Sequence, residues 1–219
     1  MEVIPAILEN NWEEIEKKIN IAKQFCDTVH IDFIDGKFAQ NTTFLDPKPF
    51  AQYSKDLFLE AHLMVDEPKS FLKGLSDAGF KRFLGHVEKM SGQTDFVAEA
   101  QILGEVGLAI DAKTSLEQIK VPFEDLDAIL VMTINAGSSG QKFMPELLEK
   151  IKKIRLKNPL NSQGENLPIE VDGGINKETI IMAKNAGASV FCANSCIFKS
   201  GSPADTYSRL VKTLGENMP

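Results

Sequence analysis

Eight short apolar runs, separated by segments of helical period, recur from one end of the sequence to the other, and nothing else restricts the fold as tightly. The runs fall at 3–8, 28–34, 57–65, 82–87, 108–112, 128–133, 169–172 and 190–193. Short apolar runs of this length, lying between helix-period segments, are the pattern of parallel strands buried on both faces. Eight strand-then-helix units in 219 residues, with no composition break or linker, predict one α/β domain over 1–219 built as a closed (β/α)₈ or TIM barrel. A doubly wound open sheet is the structural rival, because periodicity does not report closure.

The helix signals agree with this layout. Asn11 is placed to cap the first helix with Glu14 three residues on, and Trp12, Ile15, Ile19 and Ala22 then repeat on the face that should meet the sheet. Pro145 suits a first helical position, with Leu147, Leu148, Ile151 and Ile154 as its apolar stripe and Asn158-Pro159 as its stop. Asn176 is a second cap, for a helix ending at Gly187, and Ser202-Pro203 opens the last helix. A core of this size needs no disulfide staple. Cys26, Cys192 and Cys196 are odd in number and lack metal-type pairing, so they read as reduced residues of a cytoplasmic protein.

The net charge of −7 argues against a general nucleic-acid binder, which would normally show a basic face. It leaves room for an anionic substrate, because backbone N–H groups at helix starts hold phosphate without net positive charge. The opening MEVIPAILENNWEE carries no basic segment followed by an apolar core, and no apolar run approaches a membrane span, so neither secretion nor membrane insertion is expected.

Barrel enzymes carry their chemistry at the C-terminal ends of the strands. In VHIDFID, His30, Asp32 and Ile34 alternate with Val29, Ile31 and Phe33, so an imidazole and a carboxylate share one face. LEAHLMV offers His62 and Met64 on one face, and IEVDGG ends on Asp172 before two glycines. A lone strand histidine is commonly a hydrogen-bonded core residue, but an unpaired carboxylate in an apolar strand costs several kcal/mol. Two histidines and two carboxylates from three strands suit a divalent first-row metal. Three glycine- or Asn/Ser-bearing loops, NAGSSGQKF, DGGIN and ANSCIF, follow the last three strands, where barrels often hold phosphate. Their glycines allow close backbone approach, and Asn194 and Ser195 add side-chain donors.

With those segments in view, the chain resembles the ribulose-phosphate 3-epimerase family. The matching pieces are VHIDFIDGKF, NTTF, AHLMV, VMTINAGSSGQKFMPELLEKI, IEVDGGIN and AGASVFCANSCIF, in order along nearly the whole sequence. The resemblance implies a ribulose-phosphate-binding (β/α)₈ barrel, a divalent cation (zinc, iron, manganese or cobalt) and interconversion of D-ribulose 5-phosphate with D-xylulose 5-phosphate. It also implies His30, Asp32, His62 and Asp172 as ligands, Asp32 and Asp172 as the acid/base pair, and Met64 and Met132 as substrate-lining methionines. Gly137, Ser138, Ser139, Gly140, Gly173, Gly174, Asn194 and Ser195 fall at or beside its phosphate-binding positions, and a homo-oligomer is the implied assembly.

Several positions depart from the family pattern. Ala6 stands where a serine is usual, Ile34 where a methionine is, Gln40 where a proline is, and Asn194 where a glycine is. The loop 136–140 lacks the usual proline and aromatic residues. The four ligand positions are intact, so substrate identity and efficiency are affected more than reaction type. Asn tolerates left-handed backbone, which would let the loop at Asn194 keep a glycine-like turn. An epimerase for a hexulose 6-phosphate and a non-catalytic binding protein remain alternatives. A barrel lyase with an Asp-x-Lys-x-x-Asp motif is a weaker one, since Asp111 and Lys113 are followed by Leu116.

Overall fold

Period-two alternation with both faces apolar is what a strand between helices and a barrel interior requires, and the structure places every such run in one sheet. The structure is a computed structural model that describes residues 1–137, 140–157, 159–161 and 163–215. The strands are β1 (Glu2–Ile7), β2 (Thr28–Ile34), β3 (Phe58–Met64), β4 (Phe80–His86), β5 (Glu105–Ile110), β6 (Ala128–Met132), β7 (Ile169–Asp172) and β8 (Val190–Ala193). They pair in chain order, all parallel, and β8 returns to β1 through Glu2↔Val190, Val3↔Phe191, Ile4↔Cys192 and Pro5↔Ala193. This seam closes the barrel and removes the open-sheet rival.

The helices are α1 (Trp12–Ala22), α2 (Leu72–Asp77), α3 (Gln93–Leu103), α4 (Leu148–Leu156), α5 (Lys177–Ala186), α6 (Ser195–Phe198) and α7 (Pro203–Gly215). Asn11 Oδ1 accepts the Glu14 amide N–H at 3.0 Å, and Ile15, Ile19 and Ala22 are buried against the sheet as their spacing predicts. Asn176 and Thr179 form a reciprocal capping box at the start of α5, and Gly187 ends that helix at φ 111°. Pro145 opens a 3₁₀ turn that runs into α4, with Leu147, Leu148, Ile151 and Ile154 buried. The expected stop at Asn158 lies outside the described residues. Two crossovers depart from strict strand-helix alternation. The β2–β3 connection carries the 3₁₀ helix Lys48–Tyr53, and the β5–β6 connection has only the turns Leu116–Gln118 and Phe123–Asp125. Pro47, Pro49 and Pro122 interrupt the N–H supply a longer helix would need.

Val29, Ile31 and Phe33 of β2 point outward into the large core shared with the helices. The barrel interior differs. Two small apolar clusters, one around Leu84, Ala109, Leu130 and Met132 and one around Ile4, Ala6, Val190 and Cys192, flank a buried polar group of His30, Asp32, Glu60, His62, His86 and Glu170. Burying so many ionisable side chains is costly unless each is paired, so the interior is organised around that pairing.

Candidate metal centre and active site

The polar stripe arises from the strand register. β2 sets Asp32 beside His62 of β3 and His30 beside Glu60, while β7 sets Asp172 beside Met132 on one side and Cys192 on the other. One donor atom from each of His30, Asp32, His62 and Asp172 lies within 4.8 Å of all the others. His62 Nδ1 is 2.8 Å from Asp32 Oδ1 and 3.6 Å from Asp172 Oδ2. His30 Nε2 lies 3.3 Å from Asp32 Oδ1 but makes no hydrogen bond of acceptable geometry, although it is wholly buried. An imidazole nitrogen in this state, aimed at two carboxylates and a second imidazole, is a donor set that fits a divalent cation.

The electrostatics separate the two aspartates. Burial works against ionisation of Asp32, yet the imidazoles of His30 and His62 hold its carboxyl well below the usual carboxylate range. Burial and then the charge of Asp32 push the Asp172 carboxyl up to about 6. Neighbouring carboxylates whose environments pull their proton affinities apart are the arrangement of an acid and a base working together.

Above the donor set opens a cleft lined by Asp32, Met64, Met132, Gly137, Gly140, Asp172, Gly173, Gly174, Asn194 and Ser195, among others. The structure therefore gathers into one cavity these ten positions singled out from the sequence, with His30 and His62 wholly buried against Asp32 and Asp172. Ser138 and Ser139 lie outside the described residues. Gly173 and Gly174 adopt φ of 115° and 69°, and a Cβ on them would sit 2.3 Å from Ile134 Cγ1 and 2.8 Å from the Phe143 amide nitrogen. The loop after β7 consequently runs as bare backbone along the cleft. Asn194 departs from expectation: its φ is −103°, so left-handed tolerance plays no part, and its Oδ1 instead faces Lys18 Nζ at 3.5 Å. Ala6 is buried beside His30 in the β1–β2 register, with no hydroxyl to offer the cleft.

Several residues with evident roles at the site were not identified from sequence. His86 Nε2 meets His62 Nε2 at 2.9 Å, and Glu60 Oε1 meets His30 Nδ1 at 2.6 Å. Arg82 Nη1 donates to Glu60 Oε2 at 2.6 Å and offsets that buried charge, holding the Glu60 carboxyl, against its burial, at about 2. Thr43 Oγ1 donates to the Asp32 carbonyl at 2.8 Å, and Thr133 Oγ1 donates to the carbonyls of Asp172 and Gly173 at 2.9 and 2.6 Å, pinning both aspartate-bearing strand ends. A signal for the first group was present. Glu60/His62, Arg82/His86 and Glu170/Asp172 have the same even spacing that singled out His30/Asp32.

Fold and site together define a (β/α)₈ barrel whose strand ends carry a divalent-cation donor set beneath a cleft rimmed by backbone loops. The chain belongs to the ribulose-phosphate 3-epimerase family, whose sequence pattern matches residues 2–198. It is 34% identical to the ribulose-phosphate 3-epimerase of Schizosaccharomyces pombe, over 95% of this chain and 91% of that protein. It is 33% identical to that of Bacillus subtilis, over 90% and 92%. Among solved structures it shares its fold with KGPDC from Streptococcus mutans, with a TM-score of 0.71, 13% identity and coverage of 98% and 96%.

Proposed function

We propose that this chain, acting as one barrel domain, inverts C3 of D-ribulose 5-phosphate to give D-xylulose 5-phosphate. The observation that carries this reading is the pair of aspartates with opposed proton affinities, close to a shared donor set, at the floor of a cleft. C3 lies next to the ketone, so its proton is acidic enough to be taken by a carboxylate. Asp32 and Asp172 are assigned as the pair: one removes the C3 proton, and the other returns a proton to the opposite face. The pair exchanges its protonation states once per turnover, so it serves both directions. His30, His62, Asp32 and Asp172 would hold the divalent cation, which would supply Lewis-acid stabilisation of negative charge on the sugar oxygens. Zinc, iron, manganese and cobalt all suit imidazole and carboxylate donors.

Met64 and Met132, each 1% exposed, are assigned to wall the reacting centre and exclude water from the enediolate. The backbone of Gly137, Gly140, Gly173 and Gly174 and the side chains of Asn194 and Ser195 are assigned to the phosphate. A cytoplasmic setting fits the three free cysteines. No helix among the described residues is long and apolar enough to cross a membrane. A homo-oligomer is proposed on the family resemblance and is checked by light scattering of the purified protein.

The decisive assay follows ribulose 5-phosphate in D₂O with metal-loaded protein. Solvent deuterium should enter C3 together with xylulose 5-phosphate formation. One bound metal per chain without deuterium at C3 would instead favour a binding protein, and faster exchange into a hexulose 6-phosphate would favour that substrate.

A further inference from the structure

The proposed mechanism uses the sides of His30 and His62 that face the cleft, but the far side of each ring is also engaged. For His30 the partner is Glu60 directly, with Nδ1 at 2.6 Å from Oε1. For His62 the partner is a third, wholly buried imidazole: His62 Nε2 lies 2.9 Å from His86 Nε2, and His86 Nδ1 lies 2.9 Å from Glu88 Oε2. The other Glu88 oxygen is fixed by the Asp111 amide N–H at 2.7 Å.

Two ring nitrogens 2.9 Å apart share one proton, so the direction of the His62–His86 bond sets which nitrogen of each ring is bare. An ionised carboxylate only accepts. Glu88 therefore draws the His86 proton to Nδ1 and leaves Nε2 of a neutral ring as an acceptor. His62 must then donate from Nε2, so that its Nδ1 lone pair is free to ligate once a cation stands between it and the carboxylates of Asp32, at 2.8 Å, and Asp172, at 3.6 Å. Glu60 acts the same way on His30: it holds a proton on Nδ1 and leaves Nε2, 3.3 Å from Asp32 Oδ1, as the atom that would face the cation.

We propose that Glu88, relayed through His86, is a positioning residue that fixes His62 as its Nε2–H tautomer and so keeps Nδ1 available to a divalent cation, with Glu60 doing the same for His30 by direct contact. This rests on the metal reading above and extends it to residues that touch neither metal nor substrate. Outer partners of ligand imidazoles generally alter metal affinity by about 10–100-fold.

Glu88→Gln tests the relay because it keeps the shape and reverses the polarity. Its amide oxygen can still accept from the Asp111 N–H, while its NH₂ group faces His86 Nδ1 and obliges that atom to accept. The proton of His86 then moves to Nε2, and that of His62 to Nδ1. Two measurements on the full chain read this: Zn²⁺ affinity by chelator competition, and histidine protonation sites by long-range ¹H–¹⁵N NMR. In Zn²⁺-loaded wild type, protons should sit on His62 Nε2 and His86 Nδ1. Glu88→Gln should bind Zn²⁺ about 10–100-fold more weakly, with the protons on the opposite nitrogens in the zinc-free protein. Glu88→Asp, which keeps an acceptor, should recover the wild-type tautomers and part of the affinity. Zn²⁺ binding by Glu88→Gln within twofold of wild type, or a wild-type His86 protonated at Nε2, would overturn the inference and leave the epimerase reading standing. A wild type that binds no Zn²⁺ would overturn the metal reading itself, and wild type alone reveals it. If Glu88→Gln does not fold, the wild-type protonation sites still decide.

Discussion

The two sides of the barrel mouth are built by opposite means. On the β2–β4 side, side chains do the work. The buried His30, Asp32, Glu60, His62 and His86 and the partly buried Arg82 interlock through contacts of 2.6 to 2.9 Å. Around β7 and β8 the cleft wall is largely backbone, with Gly173 and Gly174 at positive φ and Thr133 tying down the loop. The difference follows from what each side is assigned to do. Proton transfer and cation binding need particular atoms at fixed distances, which rigid strands supply. A phosphate needs several N–H groups, which a turning main chain supplies without long side chains.

Asp172 lies where the two sides meet, and its loss should have the largest effect. Asp172→Asn should reduce kcat by about 10²–10⁴-fold. Binding of inorganic phosphate, followed by calorimetry, should change little, and a parallel loss of phosphate binding would mean that the two sides are not separable. Next comes Arg82→Met, which leaves the buried Glu60 carboxylate without its cation and should cost about 3–5 kcal/mol in denaturant unfolding.

The corresponding break on the backbone side is Gly174→Ala. A Cβ meeting the Phe143 amide nitrogen at 2.8 Å, on a backbone at φ 69°, should cost about 1–3 kcal/mol and raise KM more than it lowers kcat. A variant with wild-type KM would show that the loop does not hold the substrate's phosphate.

A pH series sharpens the contrast between the aspartates. Asp172 keeps its proton up to about 6, above the value of about 3.9 for an unfolded chain. Its contribution to stability is thus complete below about 4 and is lost as pH rises through about 6. Metal-free Asp172→Asn has no such charge to bury. It should gain up to about 3 kcal/mol on wild type between pH 4 and pH 8, read from paired urea titrations. Asp32 has the opposite sign, because its lowered affinity contributes stability that is lost only as pH falls into the acid range. Ser195→Ala should have the smallest effect: up to about tenfold in KM, with kcat unchanged, from one lost hydrogen bond.

How much the sequence disclosed follows the same division. The strands and both helix caps were legible because their causes are local, in alternation at His30/Asp32 and in Asn11 followed by Glu14. The four donors were legible because carboxylates in apolar strands demand an explanation. His86, Glu60 and Arg82 were overlooked because each has its meaning through a residue on a neighbouring strand, and alternation within one strand does not name the partner. Barrel closure escaped periodicity for the same reason, since Glu2↔Val190 is a contact between distant segments. At Asn194 a local propensity argument misled, because the backbone there stays at negative φ and the helix start of α6 absorbs the residue.

The seam between β1 and β8 has a consequence for how the protein is made. Residues 2–5 leave the ribosome long before their partners at 190–193. Until those partners emerge, the nascent sheet has two free edges, each able to recruit a stray strand from another polypeptide. Closing the ring abolishes both at once, so the hazard of mispairing is confined to synthesis and ends when the barrel shuts.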